Sequence, residues 1–339
     1  MRPDNILHCL DKADNCAITV IGDYCLDKYL YIDPARDEVS VETGLTAYQV
    51  HRKALYPGAG GTITQNLRAL GAKVYCIGLV GEDGEGRDLL KALEQTGADT
   101  SLMVLSKDIV TCTYTKPMRK AKDGRYLEMN RIDIRNFKET PSALEDQLIA
   151  NLEKALNNTQ GAVIIDQFME RNYASVTDRV RQKLSEMALE YADKIFFADS
   201  RGFADCYPNI IIKCNQFELP KIQNTKQSTK HCIQESIKAL LAVNKRAVVV
   251  TAGQDGAYVC ESGDIVHIPA FQADGPLDIV GAGDAASAGT ILGLSLGLSL
   301  PESVLLGLCC SSITIQQLGV TGTATAEQVK QRLLTLRGT

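Results

Sequence analysis

The sequence has few histidines, and none of its cysteines forms a CxxC pair. The histidines are His8, His51, His231 and His267, which lie too far apart in the sequence to indicate a metal cluster. Eleven cysteines are scattered along the chain without the close spacing of a zinc site or a disulfide framework. We therefore expect reduced cysteines of a cytoplasmic protein, many of them small core residues.

The chain also lacks a long apolar run and an excess of basic residues. Its most apolar stretch, residues 285–300, has 16 residues, whereas a membrane span needs about 20. With 36 Lys and Arg against 41 Asp and Glu, the net charge is −5, which argues against nucleic acid or an anionic membrane as a partner. Residues 1–15 are polar and charged, unlike a secretory signal. These features favour a cytoplasmic location.

Three nucleotide or catalytic motifs are missing or misplaced. No GxxxxGK[ST] motif is present, which excludes a P-loop. Residues 281–286 match the dinucleotide fingerprint by letter, but the residues before them are polar rather than a buried strand. A dehydrogenase would also be protected by NAD rather than ATP in a thermal-shift assay. Residues 293–297 match the GxSxG hydrolase motif, yet they lie within an apolar helix and no histidine follows.

Short apolar runs alternate with helical patterns over most of the 339 residues. Buried strands are predicted at 17–22, 73–79, 162–166, 194–199, 210–213 and 246–251. Apolar residues at i, i+3 and i+4 predict helices at 63–70, 87–95, 142–156, 175–191, 229–243 and 285–298. This alternation predicts one α/β domain over residues 1–339, with a mostly parallel sheet covered by helices on both faces.

Two inserted segments, approximately 28–56 and 110–135, interrupt this alternation. The second segment has an alternating run from Thr111 to Lys116, followed by Asp123-Gly124, which favours a hairpin turn. Pro117 cannot donate to a sheet ladder and therefore predicts an edge strand. Together the segments predict a small β-sheet, either a lid over a cleft or a dimerising flap; the two roles are compatible. A homodimer through this lid is our expectation.

The predicted hairpin is basic although the chain is acidic. It contains Lys116, Arg119, Lys120, Lys122 and Arg125 against the single acid Asp123. We take Lys116 and Arg119 as candidate contacts to an anionic substrate such as a sugar phosphate; a solvated hairpin surface is the alternative.

Gly281-Ala282-Gly283-Asp284 precedes an apolar helical run. Small residues at a helix start expose backbone N–H groups at the positive end of the helix. An adjacent acid could then take the proton of an attacking hydroxyl, as phosphoryl transfer requires. The same position predicts a low pKa for Asp284. The alternative is an Asp-capped helix after a glycine turn.

Five landmarks occur in an order that resembles the ribokinase/phosphofructokinase-B family of carbohydrate kinases, most closely its heptose 7-phosphate kinase branch. They are residues 22–29 (GDYCLDKY), 57–61 (PGAGG), 81–83 (GED), 213–218 (KCNQFE) and 278–284 (DIVGAGD). The resemblance covers nearly the whole chain. It implies a three-layer α/β/α sandwich with a small β-sheet lid and an ATP- and Mg²⁺-dependent sugar kinase, with Asp284 as the base.

The resemblance also implies roles for individual residues. In this family's pattern the sugar would contact the acid at 27, the glycine turn, and the residues that follow it: Asp27, Gly58, Gly60, Gly61, Thr62 and Asn66. Thr62 stands where the family usually has Asn. The nucleotide side would comprise Asn215, Glu218, Thr251, Gly253 and Gly256, with Glu218 holding hydrated Mg²⁺. Asp278 would lie beside a monovalent cation such as K⁺.

A kinase for a heptose 7-phosphate-like acceptor is therefore the favoured hypothesis. Two alternatives stay open: a nucleoside or unphosphorylated-sugar kinase of the same fold, and a nucleotide-sensing protein without catalysis.

Overall fold

The computed structural model describes residues 3–219 and 230–335. Its strands are β1 (Ala17–Gly22), β2 (Tyr24–Ile32), β3 (Glu38–Val39), β4 (Thr46–Ala47), β5 (Val50–Ala59), β6 (Lys73–Ile77), β7 (Leu79–Gly81), β8 (Val104–Ser106), β9 (Thr113–Lys120), β10 (Tyr126–Glu128), β11 (Ile132–Ile134), β12 (Gly161–Asp166), β13 (Ile195–Ser200), β14 (Ile211–Asn215), β15 (Val248–Thr251), β16 (Ala257–Cys260) and β17 (Ile265–Ile268). Its α-helices are α1 (Pro3–Leu10), α2 (Gly60–Ala69), α3 (Gly84–Glu94), α4 (Ser142–Leu156), α5 (Asp178–Glu190), α6 (Lys230–Asn244), α7 (Ala282–Ser295), α8 (Leu300–Thr314) and α9 (Ala326–Leu334).

The central sheet has eight strands in the order β17-β16-β15-β14-β13-β12-β1-β6. The six strands from β6 to β15 run parallel, and β16 and β17 add an antiparallel edge. Helices cover both faces, which confirms the predicted α/β class and its mostly parallel sheet. The antiparallel edge was not predicted.

Side chains alternate between two cores along each central strand. In β12, Val163 and Ile165 pack toward α1, α2, α7, α8 and α9, whereas Ala162 and Ile164 pack toward α4, α5 and α6. Both faces of β12 are buried, as expected for a parallel strand covered on both sides. Because these strands run parallel, their carboxyl ends lie at the same edge of the sheet, and α2 and α7 begin at this edge.

A second sheet, the lid, has the order β10-β9-β2-β5, with β11 also paired to β9. The two predicted segments therefore combine into one small sheet. The prediction that Pro117 marks an edge strand is wrong, because β9 lies between β2 and β10. Pro117 is tolerated where the outer neighbour of β9 changes from β10 to β11, and its carbonyl accepts from the Met129 N–H at 2.8 Å.

The register of the lid separates its two faces. Asp27 and Tyr29 in β2 are paired with Tyr114 and Lys116 in β9, and alternation places these side chains on one surface, the cleft face. The opposite face rests on α3, where Lys28 Nζ lies 3.0 Å from Glu85 Oε1. Within the described ranges, no helix has both the length and the hydropathy to cross a bilayer.

Candidate active site

The start of α7 forms a small backbone cradle at the edge of the central sheet. Gly281 precedes the helix with φ +78°, a left-handed conformation that glycine adopts at little cost. A Cβ at Gly281 would lie 2.7 Å from Thr321 Cγ2 and 3.4 Å from Thr62 Cγ2, so a side chain would not fit there. The first turn of α7 has N–H groups without intrahelical acceptors. Because the Ala282 N–H donates to the Ile279 carbonyl at 3.2 Å, the N–H groups of Gly283 and Asp284 are the ones that can hold an anion here.

Asp284 lies in the first turn of α7, within a group of charged side chains. Burial and the Asp199 carboxylate raise the pKa of Asp284 to about 7, and Asp27 adds to this effect, while Lys213 and Arg201 oppose it. The expected low pKa is therefore wrong. Desolvation and neighbouring acids outweigh the helix terminus, which contributes only a partial charge. Asp284 can thus accept a proton near neutral pH.

Lys213, near the end of β14, belongs to this group of charged side chains and forms an ion pair within it. Its ammonium lies 2.7 Å from Asp199 Oδ2 and 3.4 Å from the carbonyl oxygen of Gly283. Ser287 Oγ in α7 donates to the same Asp199 oxygen at 2.6 Å. Although burial lowers the pKa of Lys213, the Asp199 carboxylate raises it above its usual value. Lys213 is therefore a charged, buried group that ties α7 to β13 and β14.

Sequence reasoning gave no role to Asp199, Arg201 and Lys213. The signal that could have found them is their position, because each of these three polar residues ends or directly follows an apolar strand run in the sequence. Arg201 follows β13, and its charge lowers the pKa of both Asp284 and Glu218. Arg201 therefore lies near both Asp284 and Glu218.

The other wall of the cleft carries a buried ion pair on the lid. Lys116 Nζ lies 2.9 Å from Asp27 Oδ1 and donates to the Tyr29 hydroxyl at 3.0 Å. A Cβ at Gly58 would lie 2.7 Å from Asp27 Oδ2, so glycine leaves this carboxylate room. Gly60 and Gly61 follow in the first turn of α2, and both are buried.

Arg119 and Asn66 do not fit their predicted places. Arg119 is paired in register with Ile32, which puts it on the face opposite Asp27, and its guanidinium binds Asp37. Asn66 is fully buried: its amide donates to the Thr62 and Gly322 carbonyls, and its Oδ1 accepts from the Ala324 N–H. Asn66 therefore supports the α2 wall and cannot itself contact a sugar.

Thr62, the other residue taken from this helix start, is 2 % exposed. Its methyl group lies next to Gly281, as the distances above show. Thr62 thus packs between the glycine turn and the start of α7, where it is better placed to shape the cradle than to donate to a sugar.

The predicted nucleotide side lies at the ends of β14 and β15. Asn215 and Thr251 are register partners, so their two loops adjoin. Asn215 Oδ1 accepts from the Phe217 and Glu218 N–H groups, while Glu218 Oε2 accepts from the Asn215 N–H at 2.7 Å. Gly253 and Gly256 have φ of +59° and +89° and shape the following turn. These contacts fix the loop that carries Glu218.

Glu218 is the residue of this loop that could hold a divalent metal. It is 9 % exposed, and burial raises the pKa of its carboxyl. In the part of the chain that the structure describes, no three His, Cys, Asp or Glu side chains form a metal-binding group. A single carboxylate suits hydrated Mg²⁺, which usually keeps waters and takes further ligands from substrate phosphates.

Asp278 links two loops beside the start of α7. Its carboxylate accepts from the Val280 and Gly319 N–H groups, and its own N–H donates to the Ile315 carbonyl. The predicted cation residue therefore lies next to the cradle, with both carboxylate oxygens engaged by backbone groups.

The chain is similar to known proteins over most of its length. A family model described as pfkB family carbohydrate kinase matches residues 19–327. Bifunctional protein HldE of Hyphomonas neptunium is 29% identical over 333 residues, covering 96% of this chain and 65% of that protein. HldE of Helicobacter pylori strain Shi470 is 27% identical over 309 residues, covering 89% of this chain and 63% of its own length. The chain thus spans less than two thirds of these relatives.

Solved structures show the same fold. Ribokinase of Arabidopsis thaliana, complexed with ribose and ATP, aligns with a TM-score of 0.69 at 16% identity, over 94% of this chain and 98% of its own. Phosphofructokinase-2 of Escherichia coli, in complex with potassium, gives a TM-score of 0.72 at 18% identity, over 95% and 99%. These comparisons confirm two predictions from the sequence. One is the ribokinase-like fold, and the other is the enzyme class, a phosphotransferase with an alcohol acceptor.

Proposed function

Because the chain belongs to the pfkB family of carbohydrate kinases, we propose that it transfers the γ-phosphoryl group of ATP to a hydroxyl of a sugar or sugar phosphate. The observation that carries this proposal is the position of Asp284. It stands beside the backbone cradle of α7, close enough to Asp27 that the charge of Asp27 raises its pKa. A base, an anion cradle and an acceptor-binding carboxylate therefore share one cleft.

In the proposed reaction the acceptor hydroxyl attacks the γ-phosphorus while Asp284 takes its proton. The bond from the γ-phosphorus to the bridging oxygen breaks, and ADP leaves with that oxygen. The first-turn N–H groups of α7 hold the migrating phosphoryl group, and Lys213 fixes their position through Gly283 and Asp199. The transition state is loose, so positioning contributes more than basicity.

ATP would lie along the loops of Asn215, Glu218, Thr251, Gly253 and Gly256, with Arg201 near its phosphates. Glu218 would hold Mg²⁺ through water, and Mg²⁺ would supply charge neutralisation for the triphosphate. K⁺ beside Asp278 stays a proposal, which turnover with and without potassium would test.

We favour a phosphorylated acceptor of the heptose 7-phosphate type. The main support is that the HldE relatives match this chain nearly end to end. Lys116 adds an ammonium donor to the wall of the cleft that the lid forms (the acceptor wall), where Asp27 balances its charge. A nucleoside fits less well, because Tyr29 is buried and its ring already contacts Lys116 on its face and Tyr56 at its edge. One face of the Tyr29 ring is therefore already occupied by the Lys116 ammonium.

The test is ATP-dependent phosphorylation across sugars, sugar phosphates and nucleosides, with Asp284→Asn as the negative control. Turnover of a sugar phosphate by the wild type, but not by Asp284→Asn, supports the proposal. Binding of ATP without turnover of any acceptor would instead favour the nucleotide-sensing alternative.

The catalytic rate should depend on the ionisation of Asp284. Its pKa of about 7 predicts that kcat/KM falls tenfold per pH unit below neutrality, because the protonated carboxyl cannot accept the hydroxyl proton. The groups that set this value are Asp199, Asp27, Lys213 and Arg201. A pH–rate profile measured with saturating ATP checks this. A profile that stays flat to about pH 5, near the ordinary carboxylate range, would contradict it.

Replacing Lys116 should weaken acceptor binding. In Lys116→Met, Asp27 loses a charge-assisted hydrogen bond, so we expect the acceptor KM to rise about tenfold. The uncompensated charge of Asp27 should also raise the pKa of Asp284 and move the acid limb of the pH profile upward. Lys28→Met is the matched control, since Lys28 forms an ion pair with Glu85 on the opposite face of the same sheet. Equal effects of the two variants would argue against the role of Lys116.

The lid also carries our proposal of a homodimer. Between β2 and β5 of the lid, the separate hairpin of β3 and β4 exposes Val39, Val41 and Leu45 to 70%, 102% and 70%, and a second copy could cover these apolar side chains. Sedimentation equilibrium tests this, and Leu45→Glu should shift a dimer toward the monomer.

A further inference from the structure

Two buried thiols meet at the root of the lid, outside the groups used for phosphoryl transfer. Cys25 lies in β2, and Cys112 directly precedes β9. Their sulfur atoms are 3.1 Å apart, and the Leu26 N–H donates to the Cys112 carbonyl at 2.8 Å. The two strands are therefore already paired where the thiols touch.

We propose that Cys25 and Cys112 form an oxidisable dithiol site, which a peroxide converts into a reversible disulfide. The peroxide first oxidises the Cys112 thiol to a sulfenic acid and releases one water. The Cys25 thiol then displaces the hydroxyl of that sulfenic acid and releases a second water. In total, two thiols and one hydrogen peroxide give one disulfide and two waters.

The structure provides access for a small oxidant. Cys112, but not Cys25, lines a cavity of about 40 Å³ between the lid root and the loop after β12, together with Asp23, Arg135 and Phe168. A cavity of this size admits water-sized molecules, since one water needs about 10–15 Å³ measured in this way. Hydrogen peroxide is little larger than water, so it can reach Cys112 before Cys25.

The chemistry of the pair predicts a slow response. The hydrogen bond with Cys112 and burial raise the pKa of the Cys25 thiol well above its usual value. Because the thiolate is the reactive form, Cys25 should resist alkylation in the native protein. Sustained peroxide, rather than a brief pulse, should be needed to form the disulfide.

A disulfide here would act on the acceptor wall, an effect that rests on the proposed function. Its S–S bond of about 2.05 Å is about 1 Å shorter than the present 3.1 Å contact, so the two side chains must rotate or β2 and β9 must approach each other. Any part of this shift that the strands take up displaces the residues beside the thiols. Asp27 follows Cys25 by two residues, and Lys116 lies four residues after Cys112. A misplacement of this size can cost about 100-fold in kcat/KM, whereas the nucleotide loops should be unaffected.

The direct test is a peptide map of the full chain after sustained incubation with hydrogen peroxide and trapping of the remaining thiols. We expect a linked peptide containing Cys25 and Cys112, lighter by two hydrogens and released by dithiothreitol. Cys112→Ser and Cys112→Ala should lose this species, while Cys206→Ser, which removes a partly exposed thiol elsewhere, should retain it. Free Cys25 and Cys112 in a sample whose Cys206 is already oxidised would overturn the proposal.

The second measurement is acceptor kcat/KM before oxidation, after oxidation and after reduction. A reversible loss in the wild type but not in Cys112→Ser supports control of the acceptor wall, and unchanged kcat/KM in mapped disulfide protein overturns it. The peptide map needs no turnover. A protein that forms the disulfide but phosphorylates no acceptor would therefore count against the proposed function and not against the dithiol site.

Discussion

Asp284→Asn should lower kcat by about 1,000-fold, within the range that a positioned general base contributes, while leaving ATP binding nearly unchanged. Asparagine preserves the size of the side chain but cannot take the hydroxyl proton. Steady-state kinetics with nucleotide titration separate the two effects. Asp264→Asn, at an exposed acid in the turn between β16 and β17, is the matched control and should behave as wild type. Near-normal turnover in Asp284→Asn would rule out this residue as the base.

The same variant should be more stable than the wild type at alkaline pH. The pKa of Asp284 is raised from an ordinary carboxyl value of 3.8 to about 7, so between these values the folded state binds more protons than the unfolded state. Stability contributed by this group therefore falls as pH rises toward 7 and stays reduced above it. Asparagine has no such cost, so thermal unfolding at pH 8 should shift upward by a few degrees. A lower midpoint at pH 8 would contradict a destabilising ionised Asp284.

Lys213→Met should be the most destabilising of these substitutions. It leaves the Asp199 carboxylate buried without its counter-charge, and breaking a buried ion pair costs about 3–5 kcal/mol. Activity should be lost as well, because Lys213 holds Gly283 at the cradle. Urea unfolding measures the loss of stability.

A double variant separates charge from position. In Lys213→Met with Asp199→Leu, the Asp199 carboxylate is removed together with its counter-charge, so much of the lost stability should return. Activity should stay low, since neither replacement can hold the Gly283 carbonyl or accept from Ser287. A single Lys213→Met variant with wild-type stability would show that Asp199 does not depend on this ammonium.

Strands covered on both faces could be predicted well from the sequence, and irregular edges could not. For β1 and α4 the predicted and observed residues are the same, because continuous apolar runs and i, i+3, i+4 spacing depend on local residues only. The strands β16 and β17 have only four residues each, and β17 is half exposed although β16 is buried, so neither is long enough to show a clear pattern. The helix predicted at 229–243 starts at residue 229, which lies outside the described residues.

The candidate site was predictable in part, for a similar reason. The glycines and Asp284 form a contiguous motif, so their closeness is written in the sequence. The pKa of Asp284 is not, since Asp199 and Asp27 approach it only through the folded sheet. Likewise, strand alternation places Lys116 and Arg119, three residues apart, on opposite faces, but only the pairing of β9 with β2 shows which of them shares a face with Asp27.

The buried amide of Asn66 has a consequence for how the protein is made. It joins the helix that carries the glycine turn to Gly322 and Ala324, about 256 residues later in the chain. Contacts of such long sequence separation form late, because the entropy of closing a large loop must be overcome first. During synthesis, the α2 wall of the cleft therefore stays incomplete until Gly322 and Ala324 have emerged from the ribosome. Nascent chains should thus acquire their central strands well before they can bind a sugar.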